Sequence, residues 1–167
     1  MDNPMDSTAM LRELDPGEAG LVEKLWKDLY REQVEMHPGL QLANSGFNEW
    51  ASAFEGIIGR FGFITVAIEH GIPVGFIAGR IKMPTPPFLA DPVGFISEVF
   101  VDAENRGKRL GKKLMGYAEE WFSSQEIVSM ELQVLTGNHH AKNFYKLNGW
   151  KASVLHMVRN IQTKTSF

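Results

Sequence analysis

Two features between residues 95 and 111 could do chemistry. The first is Glu98, a carboxylate inside the apolar run Phe95-Ile96-Ser97-Glu98-Val99-Phe100-Val101. A charge there is costly unless it is paired or faces a wet cleft, which makes Glu98 a general-base candidate. Its bland alternative is a structural ion pair, and strand alternation puts it on one face with Ile96 and Phe100. The second feature is the stretch that follows, Arg106-Gly107-Lys108-Arg109-Leu110-Gly111-Lys112. A strand entering a helix through such a loop gathers unpaired backbone N–H groups, the positive end of a helix dipole and cationic side chains. That combination holds a phosphate or pyrophosphate. Otherwise the basic residues are simply a solvated face.

Two familiar phosphate loops do not fit. A nucleotide-hydrolysing loop needs glycines five apart, then Lys and a hydroxyl residue. Here Gly107 and Gly111 are four apart and Lys112 is followed by Lys113, so the Mg²⁺-binding hydroxyl is missing. The dinucleotide pattern G-x-G-x-x-G matches neither in spacing nor in position.

The bulk of the chain narrows the choice further. Its 167 residues are 44% hydrophobic and 22% charged, the composition of one soluble domain with a sizeable core. A net charge of −3 gives no global positive field for nucleic acid. A cysteine count of 0 removes disulfides, thiolate catalysis and cysteine metal sites. His139 and His140 have no third ligand at metal spacing, so no metal is expected. No apolar stretch reaches the length of a membrane span, and the N-terminus lacks a signal-peptide pattern. A cytoplasmic protein is therefore expected.

The elements that must position these residues follow from pattern and punctuation. Residues 10–14 read as a first strand. Asp15-Pro16 starts a helix, and Leu21, Val22, Leu25, Trp26, Leu29 and Tyr30 carry it to about Met36. Trp50, Phe54, Ile57 and Ile58 mark a second, shorter helix. Strands are expected at 63–69 and 74–82 around a four-residue turn, His70-Gly71-Ile72-Pro73. The proline-rich segment 83–92 reads as a surface loop, and 93–101 as the next strand. A helix begins near Lys108 and buries Leu110, Leu114, Tyr117, Ala118, Trp121 and Phe122. The strand at 127–135 is then parallel to its predecessor. Asn138 caps a last helix ending at Gly149, and 150–159 forms a final strand.

The loop together with Asn138-His139-His140-Ala141-Lys142-Asn143-Phe144-Tyr145-Lys146-Leu147-Asn148-Gly149-Trp150 resembles the GNAT superfamily of acetyl-CoA-dependent N-acetyltransferases. The loop is similar to its R/Q-x-x-G-x-G/A motif, and the second segment to its N-x-x-A-x-x-F/L-Y-x-x-x-G-F motif. Arg109 stands where the family usually has its first motif glycine, and is expected in the first helical turn. The resemblance implies an α/β (α+β) fold of order β-α-α-β-β-β-α-β-α-β. It would be a single domain over residues 8–160, with flexible termini at 1–7 and 161–167. Its mixed, mostly antiparallel sheet would have six to seven strands, flanked by four helices.

The resemblance also implies roles. Acetyl-CoA would be the co-substrate, with no metal. Its pantetheine arm would lie on the backbone of Phe100 and Val101, with an N–H near 99–101 meeting the thioester carbonyl, so Val99 belongs to the same site. Its diphosphate would meet Arg106, Gly107, Lys108, Arg109, Leu110, Gly111 and Lys112. Asn138 and Ala141 would touch the cofactor, although Asn138 could equally be only a helix cap. Tyr145 matches the tyrosine that protonates the departing sulfur; its plain alternative is a core aromatic beside Phe144. With no cysteine nucleophile, direct transfer in a ternary complex is expected.

The acceptor is less legible. The loops at 37–46 and 83–92 would shape its pocket, with Phe47, Trp50, Pro86 and Phe88 as an apolar wall and Glu35 and Glu49 attracting an amine. Each taken singly reads more simply as core or surface. The partner expected is a small-molecule or peptide amine, with neither nucleic acid nor membrane; a homodimer stays open. Two rivals remain: a non-catalytic acyl-CoA-binding or sensing domain, and a nucleotide-binding module unrelated to CoA.

Overall fold

The computed structural model describes residues 7–37, 39–84, 87 and 91–159. Pro86 and Phe88, and the tail after Arg159, lie outside them. The chain forms two compact units, Met1–Leu135 and Thr136–Phe167.

The first unit holds strands β1 (Met10–Glu13), β2 (Gly62–Glu69), β3 (Ile72–Lys82), β4 (Val93–Val101) and β5 (Met130–Leu132). Its helices are α1 (Glu23–Met36), α2 (Gly46–Glu55) and α3 (Leu110–Ser124). The sheet order is β1-β2-β3-β4-β5, antiparallel throughout except for the parallel pair β4 and β5. Helix α3 supplies the crossover that such a parallel pair needs. Helix α4 (His139–Leu147) belongs to the second unit.

Three boundaries depart from the sequence pattern. The first helix does not start at Pro16. Gly17 turns left-handed at φ +92°, and the Glu18 carboxylate folds back to the Asp15 N–H at 2.9 Å and to Arg12 at 2.8 Å. A 3-10 turn, Ala19–Val22, then leads into α1. The β2–β3 hairpin needs only two turn residues, because His70 (φ 51°) and Gly71 (φ 79°) both take the left-handed form that matches strand twist. Ile72 and Pro73 therefore join β3.

The third departure is larger. Among the described residues the sheet has five strands, not six or seven, since 150–159 forms no strand. Val154, Leu155, Met157 and Val158 stay exposed; without a ladder to join, alternation alone fixes no strand. Likewise β5 shrinks to the three residues paired with Gly94, Phe95 and Ile96.

Both faces of the sheet are covered. On one, Trp26 and Phe47 from the helical segments pack with Phe54, Ile64, Val66, Phe76 and Phe100. On the other, Phe63 meets Trp121 and Phe122 of α3 at ring distances of 4.8 and 5.6 Å. Among the described residues, no helix is long and apolar enough to cross a membrane.

Candidate active site

A bulge in β4 separates the face of Glu98 from that of Ile96. Ala78 opposes Glu98, but the next residue of β3, Gly79, opposes Ile96, which leaves Ser97 as an extra residue. Adjacent residues of β3 face opposite ways, and so must the residues paired with them. Ile96 therefore turns to the α3 face, contrary to simple alternation. Phe100 keeps the face of Glu98, in the core cluster with Trp26 and Phe47.

On that face Glu98 is 6% exposed. Tyr30 of α1 donates its hydroxyl to Glu98 Oε1 at 2.8 Å. The second oxygen, Oε2, is buried with no hydrogen-bond partner, and so is the indole Nε1 of Trp50 on α2. That indole lies near enough to favour the charged carboxylate without reaching bonding geometry. Burial pushes the Glu98 carboxyl up to about 7, against the opposing pull of Tyr30, Trp50 and Arg80. A carboxyl poised near neutrality suits proton abstraction. Burial, then the neighbouring Glu98 charge, push the Tyr30 phenol well above its ordinary value, so it remains a donor.

Past Ile96, β5 gives β4 no partner. The Asp102 N–H donates to the Val74 carbonyl at 2.9 Å. Antiparallel alternation then commits the backbone of Phe100 to β3 and turns that of Val99 and Val101 to the open side. Arg106 confirms this direction: its Nε donates to the Val101 carbonyl at 2.9 Å. The same guanidinium donates to Glu32 Oε1 at 2.7 Å and lies 5.2 Å from the centre of the Phe100 ring.

The basic loop reverses direction between Arg106, which is extended, and α3. It uses two left-handed residues to do so, Gly107 at φ 80° and Arg109 at φ 57°. Arg109 thus precedes the helix instead of lying in its first turn. A non-glycine residue in that conformation costs about 1–2 kcal/mol. No side chain caps α3, and its first ladder bond runs from the Lys113 N–H to the Arg109 carbonyl at 3.1 Å. The N–H groups of Leu110, Gly111 and Lys112 precede that bond at the positive helix end. A Cβ on Gly107 would meet nothing within 4 Å. This donor set fits a diphosphate. Lys112 is exposed, whereas Lys108 Nζ donates to Asn105 Oδ1 at 2.9 Å.

In the second unit, Asn138 Oδ1 accepts the Ala141 N–H at 2.9 Å, so it does cap α4. Tyr145 is half-buried, its ring 5.4 Å from Phe144 and 5.8 Å from Trp150. Burial pushes its phenol up to about 12, which keeps the proton on through the neutral range. His139 and His140 are exposed. Among the described residues, no group of three or more His, Cys, Asp and Glu could hold a metal. Of the expected acceptor residues, Phe47 is core, Trp50 borders Glu98, and Glu49 accepts from Ser45 at 2.7 Å on the surface.

Comparison with known proteins now decides the family. The profile described as acetyltransferase (GNAT) family matches residues 22–150. This chain belongs to that family. No curated protein matches the sequence. The GNAT chain is similar in structure to a tetramutant of the BH1408 protein from Bacillus halodurans: 18% identity, TM-score 0.77, covering 91% of this chain and 99% of that one. The aminoglycoside N-acetyltransferase AAC(6')-Iy in complex with CoA is 14% identical at TM-score 0.70, covering 97% and 100%. The aminoglycoside acetyltransferase meta-AAC0020 from an uncultured soil metagenomic sample, in complex with sisomicin, is 12% identical at TM-score 0.67, covering 92% and 97%. At these identities the likeness is one of fold.

Two residues of this GNAT chain escaped the sequence reading. Tyr30 belongs by its spacing to the apolar stripe of α1, one turn after Trp26, although a hydroxyl in a core stripe asks for a partner. Glu32, the partner of Arg106, carried no signal, because an ion pair across 74 positions leaves no trace in local pattern.

Proposed function

We propose that the protein is an acetyl-CoA-dependent N-acetyltransferase acting by direct transfer to an amine in a ternary complex. The observation that carries this reading is Glu98: a buried carboxyl on β4, beside the bulge, with one oxygen unpartnered. A lysine-like amine has a pKa of about 10.4 and is almost wholly protonated at neutral pH. Glu98 takes the proton, directly or through water, and the freed lone pair attacks the thioester carbon. The nitrogen gives its second proton to solvent as the amide forms, the carbon–sulfur bond breaks, and Tyr145 gives its proton to the departing thiolate. Solvent restores the phenol.

The uncapped start of α3 supports a diphosphate site at Gly107, Leu110, Gly111 and Lys112, with Arg106, Lys108 and Arg109 adding charge. The unpaired side of β4 at Val99 and Val101 supports a pantetheine track, with Phe100 packed beneath it. Asn138 and Ala141 are assigned to the cofactor side on their motif alone. Positioning and oxyanion contacts supply most of the rate in such a scheme.

The test is thiol release from acetyl-CoA over a panel of amines. The panel includes aminoglycosides, because AAC(6')-Iy and meta-AAC0020 are named for them, alongside peptides and simple alkylamines. Calorimetry with acetyl-CoA, ATP and NAD runs in parallel. Saturable CoA binding with thiol release only in the presence of an amine is expected. CoA binding without turnover across the panel would favour the non-catalytic domain, and ATP or NAD binding without CoA would overturn both.

A further inference from the structure

The proposed base is held by a residue that acetyl transfer itself does not use. We infer that Tyr30 is a positioning residue whose phenol locks one oxygen of Glu98 and leaves Oε2 as the single basic atom. This inference rests on the reading of Glu98 as the base.

A carboxylate has two equivalent oxygens and can rotate to offer either one. Here the rotation is stopped. Tyr30 donates to Oε1 at 2.8 Å, and its ring lies 4.3 Å from that of Trp26. Trp26 is itself buried against Phe47 and Trp50, at 5.6 and 6.0 Å. The phenol therefore has a fixed floor, and α1 carries the constraint to β4. The groups facing Glu98 from the surrounding elements are Tyr30 on α1, Trp50 on α2 and Arg80 on β3. Of these only Tyr30 makes a hydrogen bond. Arg80 acts by charge alone, and its guanidinium lies 5.6 Å from the Phe95 ring.

Two consequences follow from one bond. A donor on Oε1 stabilises the anion, because hydrogen bonds to charged groups are stronger than neutral ones. It also fixes the direction of the remaining lone pairs, the quantity on which proton transfer depends most steeply. The shifted titration reports the bond itself; a loss confined to turnover, with KM for acetyl-CoA unchanged, is what structural glue alone would not give.

The test is Tyr30→Phe, which keeps the ring and removes the donor. The acid limb of kcat/KM should move up by about one pH unit, with KM for acetyl-CoA unchanged. A carbon-13 titration of the Glu98 carboxyl in the substrate-free protein should move by the same amount. Placing 3,5-difluorotyrosine at position 30 strengthens the donor and should move both midpoints down. Wild-type midpoints in both variants would overturn the inference. Failure of the base reading is seen separately: Glu98→Gln would then keep full turnover, while the carboxyl titration would still show whether Tyr30 holds Glu98.

Discussion

Tyr30 and Glu98, 68 positions apart in the chain, share a 2.8 Å hydrogen bond that ties α1 to β4. Among the described residues no other side chain hydrogen-bonds that buried carboxylate, and Oε2 is left unsatisfied. An unsatisfied buried oxygen costs about 1–3 kcal/mol. A fold selected for stability alone would have paired or replaced it, so the site has the character of stored strain at a working position.

That strain makes stability depend on pH. Burial holds the Glu98 carboxyl at about 7, above its ordinary value of 4.5. Between these values the folded chain binds more protons than the unfolded one, so stability falls as pH rises. The contribution is fully present below the unfolded value and gone once pH passes the folded one. Glu98→Gln mimics the protonated form. It should match wild type near pH 4.5 and exceed it at about pH 8 by roughly 2–3 kcal/mol. Urea melts at the two pH values check this; equal differences at both would refute the buried charge.

Three residues before the bulge, β4 comes close to α3. A Cβ added to Gly94 would sit 2.6 Å from the Phe122 ring, and Phe122 is fully buried. Gly94→Ala should therefore cost about 1–3 kcal/mol, read as a fall in Tm. In a Phe122→Leu background the same change should cost less, because the clash is with the ring. A double-mutant cycle measures that coupling.

Much of this was legible from local pattern. The hairpin, the parallel β4–β5 pair and the capped start of α4 each follow from residues near one another in sequence. The bulge was not, because nothing in Phe95-Ile96-Ser97-Glu98 marks which residue the partner strand will skip. Tyr30 and Glu32 were missed for a related reason. Their partners, Glu98 and Arg106, come from distant elements, and helical periodicity reports only which face is buried. The last strand fails in the opposite way: Val154, Leu155, Met157 and Val158 have strand-like character, but pairing decides strands.

Arg106 has to serve two masters if it also meets a diphosphate. It already binds Glu32 and the Val101 carbonyl. Both partners of the ion pair are about a third exposed, so the pair itself is worth at most about 1 kcal/mol. Arg106→Gln should weaken CoA binding several-fold, and Glu32→Gln should strengthen it slightly by removing a competing anion. Both effects should shrink in high salt. Calorimetry at two ionic strengths reads them; unchanged affinity in Arg106→Gln would leave it a purely structural clasp.

Tyr145→Phe separates chemistry from binding. The ring of Tyr145 packs on Phe144 and Trp150, contacts that phenylalanine keeps, so α4 should retain its stability. The hydroxyl is what changes. With burial pushing the phenol up to about 12, it holds its proton under assay conditions and can donate it to a thiolate. Losing a general acid costs on the order of a hundredfold in rate, so kcat should fall by about that factor while acetyl-CoA affinity stays near wild type. The loss should be smaller for an acyl donor whose thiol is more acidic, since its thiolate leaves with less need of a proton. Equal losses for both donors, or wild-type turnover, would assign Tyr145 to packing and leave protonation of the sulfur to solvent.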